Sequence, residues 1–413
     1  MTKWILIVAV IAGLGLAAWI GLRESASRGA PETVTEQTTA EDEGLTLLPA
    51  VHIEENTPYG PVQVDYDPNA EPEKPNVVAS CRCTITHEDL GGTLGPIDVT
   101  AEGRWEGGRF AGTVEAKGVK VEIDAEVSAL ELAAGRYTLP PTEISAVYAA
   151  VASLVPESRQ ADIRGTLAGN GEFRLLPLRF TFRPSVADFN VDGLVGPEYR
   201  MGSFTYMGRD KDGNLVPVRG GEGTEGWLPL VDAGRMLPAA VISAEDAAFR
   251  SHAGFSVEGM TDAAHDNDVE GKVVRGGSTL SQQLAKNLFL TPERTYARKL
   301  KELLYAVEME RELGKDRILE LYLNVIEWGP TVRGARAASE AYFLKQPAGL
   351  LPEEAAFMAS IIRNPRGGWE KEYVGGRVQT RRLSWILDNM VTISPEERLA
   401  ALTRDVHFVP PKK

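Results

Sequence analysis

GGSTLSQQLAKN, residues Gly276–Asn287, sets Thr279, Gln282, Gln283 and Lys286 at spacings of three, four and seven. Those spacings share one helical face, while Leu280, Leu284 and, one residue past the stretch, Leu288 line another. An uncharged stripe of hydroxyl and amide groups ending in a lysine suits recognition of a sugar and a diphosphate. On pattern alone it is equally an ordinary solvated face. Upstream, Glu245 follows the largely apolar stretch Pro238–Ala244 and opens the run EDAAFRSHAG. A carboxylate flanked by Val241, Ile242, Ala244, Ala247 and Ala248 is partly desolvated, which raises its pKa towards the range of a general base. The competing reading is a helix-end carboxylate in solvent.

Downstream, TPERTYARKLKE (Thr291–Glu302) predicts a helix with Thr291 as N-cap and Pro292 in its first position. Arg298 and Lys299 stand four and three residues before Glu302, so the three share a face; as a bare pattern, Arg298 with Glu302 is an i,i+4 ion pair. KDRILELYLNVIEWGPTVRGARAASEAYF (Lys315–Phe343) has Ile318, Leu321, Tyr322 and Val325 at core-helix spacing. RRLSWIL (Arg381–Leu387) is a weaker signal, since paired arginines on a helix are common.

Together these five segments, between Trp227 and Met390, resemble the signature motifs of glycosyltransferase family 51, the peptidoglycan polymerases that join lipid II units into glycan strands. LNVIEWGP is most similar to the monofunctional branch. The resemblance implies a mostly helical, lysozyme-like domain in which Glu245 removes the proton from the acceptor 4-hydroxyl and Glu302 is the second catalytic acid. Asp246, Phe249, His252 and Gly254 match the rest of the first motif, with Asp246 and His252 on the substrate side. Ser278, Thr279, Gln283, Lys286 and Asn287 would line the donor site, and Arg298 with Lys299 would neutralise the departing diphosphate. A divalent cation, magnesium or manganese, is compatible with that role and could involve Glu302; no organic cofactor is implied. The implied partners are lipid II, the growing strand, the membrane and a separate transpeptidase, because no SxxK serine motif occurs. Two departures stand out: DAAHDNDVEG (Asp262–Gly271) replaces a basic and apolar helix, and YFLK (Tyr342–Lys345) replaces YFGK. Two rival readings are a non-catalytic lipid II or glycan-binding scaffold and a lytic enzyme that cleaves glycan. The second would have no use for a diphosphate site.

The rest of the 413-residue chain surrounds this region. Trp4–Leu22 (WILIVAVIAGLGLAAWIGL) is an uncharged run of 19, enough for a helix to cross a bilayer and longer than the apolar core of a cleaved signal peptide. Residues 1–23 therefore read as a transmembrane anchor. The resemblance then puts the catalytic part on the extracytoplasmic, periplasmic side of a bacterial inner membrane. Residues 24–76, rich in Glu, Thr and Pro, read as a flexible linker. Segments alternating with period two, such as Val99–Trp105, Lys120–Val127 and Gly171–Pro184, make 77–194 a small β-rich domain, with one helix over Ile144–Val155. Spacing, partner docking and glycan binding all fit it. Residues 195–226 read as a Gly-rich connector, and 227–413 as the helical glycosyltransferase domain. The expected fold class is thus multi-domain: a transmembrane helix, a small β-rich domain and a mostly α lysozyme-like domain.

The net charge of −14 is unevenly placed, since residues 226–413 hold 25 basic and 25 acidic side chains and the earlier part carries the whole excess. An acidic balance argues against nucleic acid through phosphate repulsion. The two cysteines, Cys81 and Cys83, could pair in an oxidising compartment, but a bridge across one residue is strained, and unpaired is the favoured reading. Two cysteines and five scattered histidines give no zinc-type spacing.

Overall fold

The computed structural model describes residues 49–57, 59–127, 133–174, 179–259, 261, 277–367, 370, 372–374, 377–378 and 380–409. Trp4–Leu22 and Asp262–Gly271 lie outside the described residues, as does Gly276. Among those described, no helix is long and apolar enough to cross a membrane. The chain divides into two compact units: residues up to 190 with 294–299, and residues 191–293 with 300–413.

In the first unit, β1 (Val51–Thr57), β2 (Gly60–Tyr66), β3 (Val77–His87), β4 (Gly92–Glu106), β5 (Arg109–Ala116), β6 (Val119–Val127), β7 (Ala133–Glu143) and β8 (Asp162–Arg174) follow one another as sheet neighbours. β9 (Arg179–Phe180) pairs with β8, and β10 (Arg183–Asp192) ends the order beside β8. Alternation drives the arrangement: Val77, Ala79, Cys81, Cys83 and Ile85 of β3 are buried, as are Val119, Val121, Ile123 and Ala125 of β6. Helix α1 (Ile144–Ala150) packs on β6, β7 and β8 through Ile144, Val147 and Tyr148, and is shorter than the Ile144–Val155 expected.

Two expectations for this unit are corrected. Residues 51–66, inside the expected linker, form β1 and β2, because Ile53, Val62 and Val64 alternate with polar side chains and reach the sheet's buried face. The average composition of the stretch concealed that local period. Cys81 and Cys83, expected unpaired, form a disulfide. They occupy i and i+2 on one buried face, with Cα atoms 5.3 Å apart, inside the span a bridge requires.

The second unit starts before the expected connector does. A hairpin of β11 (Ser203–Arg209) and β12 (Leu215–Gly221) occupies most of residues 195–226, and its Phe204 and Tyr206 belong to the unit's core. Glycine content suggested a tether; the alternation of Phe204 and Tyr206 with polar neighbours makes a strand instead. The hairpin is held by Arg333 Nη2, which donates to the Arg209 carbonyl at 2.7 Å, and by Arg366 Nη2, which donates to that of Asp210 at 2.9 Å. Ahead of it, the N–H groups of Gly193, Leu194 and Val195 all donate to the buried carboxylate of Glu308, at 2.9–3.1 Å.

Beyond Trp227 the described structure is mostly helical: α2 (Met236–Glu245), α3 (Leu280–Phe289), α4 (Tyr296–Val325), α5 (Ala335–Phe343), α6 (Pro352–Ile361), α7 (Thr380–Asn389) and α8 (Pro395–Thr403). Two small ladders interrupt it, β13 (Glu327–Gly329) with β14 (Val332–Arg333), and β15 (Tyr373–Val374) with β16 (Arg377–Val378). Every residue of α6 is buried, as befits a helix that other elements surround, and α2, α7 and α8 pack on it. α4 begins later than expected, because Thr295 rather than Thr291 caps it, its hydroxyl accepting from the Arg298 N–H at 3.2 Å. The same helix breaks at Gly314 (φ 73°, ψ 166°), so that Lys315–Val325 forms a second straight segment.

Candidate active site

The site begins where α2 ends. Glu245 is the last residue of α2, and its side chain is only 9% exposed. Gln283 of α3 donates from Nε2 to Glu245 Oε2 at 3.2 Å, and the Tyr322 hydroxyl of α4 donates to Gln283 Oε1 at 2.9 Å. Arg382 of α7 reaches Glu245 Oε1 at 3.4 Å. Four helices therefore converge on one carboxylate. Burial raises the Glu245 pKa above the ordinary carboxylate value; the Gln283 hydrogen bond and the charges of Arg382, Arg363 and Lys286 pull the other way. Burial, and then the charges of Glu245 and Asp246, hold the Tyr322 phenol well above its usual value, so it acts as a hydrogen-bond donor.

Asp246, the next residue, does different work. Its carboxylate accepts from His252 Nε2 at 2.9 Å and from the Leu280 N–H, at the start of α3, at 2.8 Å. His252 Nδ1 accepts from the Gly254 N–H at 3.1 Å, which leaves the ring proton on Nε2 facing Asp246. Lys315 Nζ donates to the His252 carbonyl at 2.6 Å and to Glu310 Oε1 at 2.7 Å, and Glu310 Oε1 also accepts from the Ser281 hydroxyl at 2.5 Å. Since Ser281 adjoins Leu280, these contacts close a ring: Asp246, His252, Lys315, Glu310, Ser281, Leu280 and back to Asp246. The ring joins the end of α2, the start of α3 and both segments of α4. Asp246 and His252 thus spend their polar atoms on framework, at 6% and 8% exposure.

Thr279 is similarly engaged. It is the N-cap of α3, its hydroxyl accepting from the Gln282 N–H at 3.2 Å and donating to the Gly254 carbonyl at 2.7 Å, while Gln282 Oε1 accepts from the Thr279 N–H at 3.0 Å. Thr279 and Gln282, expected on one open face, are a buried capping box. Gln283 faces the acid, Lys286 is close enough for its charge to be felt there, and Asn287 turns its amide back to the Gln283 carbonyl at 2.9 Å. Ser278 precedes the cap. Arg298 and Lys299 lie in the first turn of α4, and Glu302, in the next, is buried. Among the described residues, no three His, Cys, Asp or Glu side chains converge as a metal site requires.

Several participants were not singled out from the sequence. Tyr322 read as core, and it is buried, but its hydroxyl orients Gln283. Arg382 read as half of a commonplace arginine pair, Lys315 entered only as the first residue of the Lys315–Phe343 segment, and Arg363 carried no signal; the buried face of α7 (Leu383, Ile386, Leu387) could have indicated that Arg382 points inward at its edge.

Comparison with known proteins bears on this geometry. The profile of a family described as Transglycosylase matches residues 212–391, a span holding Glu245, Gln283, Tyr322 and Arg382. A biosynthetic peptidoglycan transglycosylase of Thiobacillus denitrificans is 45% identical over 168 residues, which are 41% of this chain and 72% of that protein. The chain belongs to the transglycosylase family. Similar proteins bearing the same description in Dechloromonas aromatica and Aromatoleum aromaticum are 49% and 48% identical, over 34% and 36% of this chain and 61% and 64% of theirs. The transglycosylase match begins within the β11–β12 hairpin, in the segment expected to be a connector, and residues 1–211 lie outside it.

Proposed function

We propose that this chain is a peptidoglycan glycosyltransferase that polymerises lipid II into glycan strands, with the growing chain as donor and lipid II as acceptor. The observation that carries the reading is the environment of Glu245: buried, oriented by an amide, and faced by Arg382, with Arg363 and Lys286 within electrostatic reach. Glu245 takes the proton of the acceptor 4-hydroxyl, and the oxygen attacks the anomeric carbon of the donor. The bond to undecaprenyl diphosphate breaks with inversion, and the leaving group carries away the negative charge. Lys286, Arg298 and Lys299 are cations suited to that charge, and Glu302 is the second acid. Ser278, Thr279 and Asn287 shape the donor side, with Thr279 acting through the helix it caps. A magnesium or manganese ion would come with the diphosphate and take a single carboxylate from the protein, for which Glu302 is the candidate.

The apolar Trp4–Leu22 stretch supports a single-pass anchor in the inner membrane, with catalysis on the periplasmic side and cross-linking left to a separate transpeptidase. Incubation of the purified protein with labelled lipid II, and separately with finished glycan, tests all of this. Polymer from the first is expected. Fragments from the second would indicate a lytic enzyme, and binding without either product would indicate a scaffold.

A further inference from the structure

The core of the second unit is complete without Trp385. On α7, Leu383, Ile386 and Leu387 are buried, with Met390 just past its end. Trp385 lies on the other side, between Arg381 one turn back and Asp388 and Asn389 one turn on, all exposed. At 48% exposure it places a large apolar ring where the period of an amphipathic helix calls for a polar side chain. The ring is nonetheless held. The Arg382 guanidinium sits over it, 5.9 Å from the centroid, and the same guanidinium reaches Glu245. The helix itself is tied to α2 by the Ser243 hydroxyl, which donates to the Asn389 carbonyl at 3.0 Å. A half-exposed indole therefore stands one residue away from the proposed base, on a fixed element.

We infer that Trp385 is a stacking platform for a sugar ring of the glycan substrate, beside the Glu245 centre; this rests on the glycosyltransferase reading above. A β-1,4-linked hexosamine presents an apolar C–H face and a rim of polar groups. The indole matches the face, and Arg381 and Asp388 offer charge at the rim. An indole already held by a cation on one face loses little freedom when a sugar covers the other. A lipid surface also accepts exposed tryptophan. The link through Arg382 to the acid favours a sugar over a lipid surface.

The test uses the full chain. With lipid II as substrate, W385A is expected to raise KM about tenfold while kcat stays within about twofold, and W385F to recover most of the loss, as removal of uniform binding requires. Independently of turnover, a soluble tetramer of β-1,4-linked N-acetylglucosamine should quench tryptophan emission in the wild type and not in W385A. Should W385A fail to fold, W385Q takes its place in both assays. Unchanged KM and unchanged tetramer binding in the variant overturn the inference. So does loss of binding to phosphatidylglycerol vesicles with tetramer binding intact, which would assign the ring to the membrane. Tetramer binding that depends on Trp385, in a protein that makes no polymer, would sink the polymerase reading and leave the platform standing.

Discussion

Glu245 is held where ionisation is costly, and that cost has two measurable signs. Its folded pKa lies above the ordinary carboxylate value chiefly through burial. As the proposed base it must be ionised, so turnover should fall as pH drops through a value above about 4.3, the free glutamate figure. Arg382→Met removes a charge that lowers this pKa and should move the acid limb of the pH–rate profile further up. Stability runs the other way: between the unfolded and folded pKa values the folded state holds more protons, so stability declines as pH rises across that window. Glu245→Gln should therefore cut polymerisation by roughly 10²–10⁴-fold while raising Tm at neutral pH, a gain that shrinks below the unfolded pKa. Parallel melts and turnover assays at two pH values check both signs. Tyr322→Phe should cost about 1–3 kcal/mol of stability, because Gln283 Oε1 loses its buried donor. Glu245 was legible in the sequence because the apolar run that desolvates it is its own neighbour. Tyr322 and Arg382 were not, since their partners lie 39 and 137 residues away and only packing joins them.

Helices are aligned here by ionic and hydrogen-bonded closures as much as by apolar packing. Lys315 sits directly after the break at Gly314, and its ammonium closes the ring that joins α2, α3 and α4. Lys315→Met should destabilise by about 1–3 kcal/mol, leaving Glu310 short of its cation. It should also lower kcat with little change in KM, since Gln283 rides on α3; steady-state kinetics with lipid II separate the two effects, and Lys315→Arg should restore part of kcat. Gly254 is equally constrained: φ is +93°, and an added Cβ would meet the Ala306 carbonyl oxygen at 2.8 Å. Gly254→Ala should cost about 1–2 kcal/mol or more in chemical denaturation. Periodicity disclosed the existence of α3 and α4. It misplaced the start of α4, because Thr291-Pro292 and Thr295 both offer plausible caps and the choice depends on where the preceding chain is held. It also put Thr279 and Gln282 on an open stripe, although a capping box at a helix start turns the same side chains onto the backbone.

At the scale of the molecule, the boundary matters most. The second unit starts near Val191, so a fragment of residues 191–413 should melt cooperatively. One beginning at Trp227 should melt lower and less sharply, because it loses Phe204 and Tyr206 from the core and the three N–H donors of Glu308. Calorimetry of the two fragments decides the point. Mean composition hid both β1–β2 and β11–β12, since strands this short are specified by alternation of two or three side chains. Asp262, Asp266, Asp268 and Glu270 belong to a stretch outside the described residues, and their charge supports a proposal about lipid. Replacing the four with Asn or Gln should strengthen binding to anionic liposomes, on the order of 1 kcal/mol per charge near the surface. The clasp at Glu308 has a mechanical side. The chain arriving from the first unit is gripped by three backbone hydrogen bonds at Gly193–Val195 before it runs into β11. A pull arriving along this segment meets these three hydrogen bonds before it reaches the hairpin. The grip works as strain relief on a cable: a tug along this segment is taken up ahead of the hairpin.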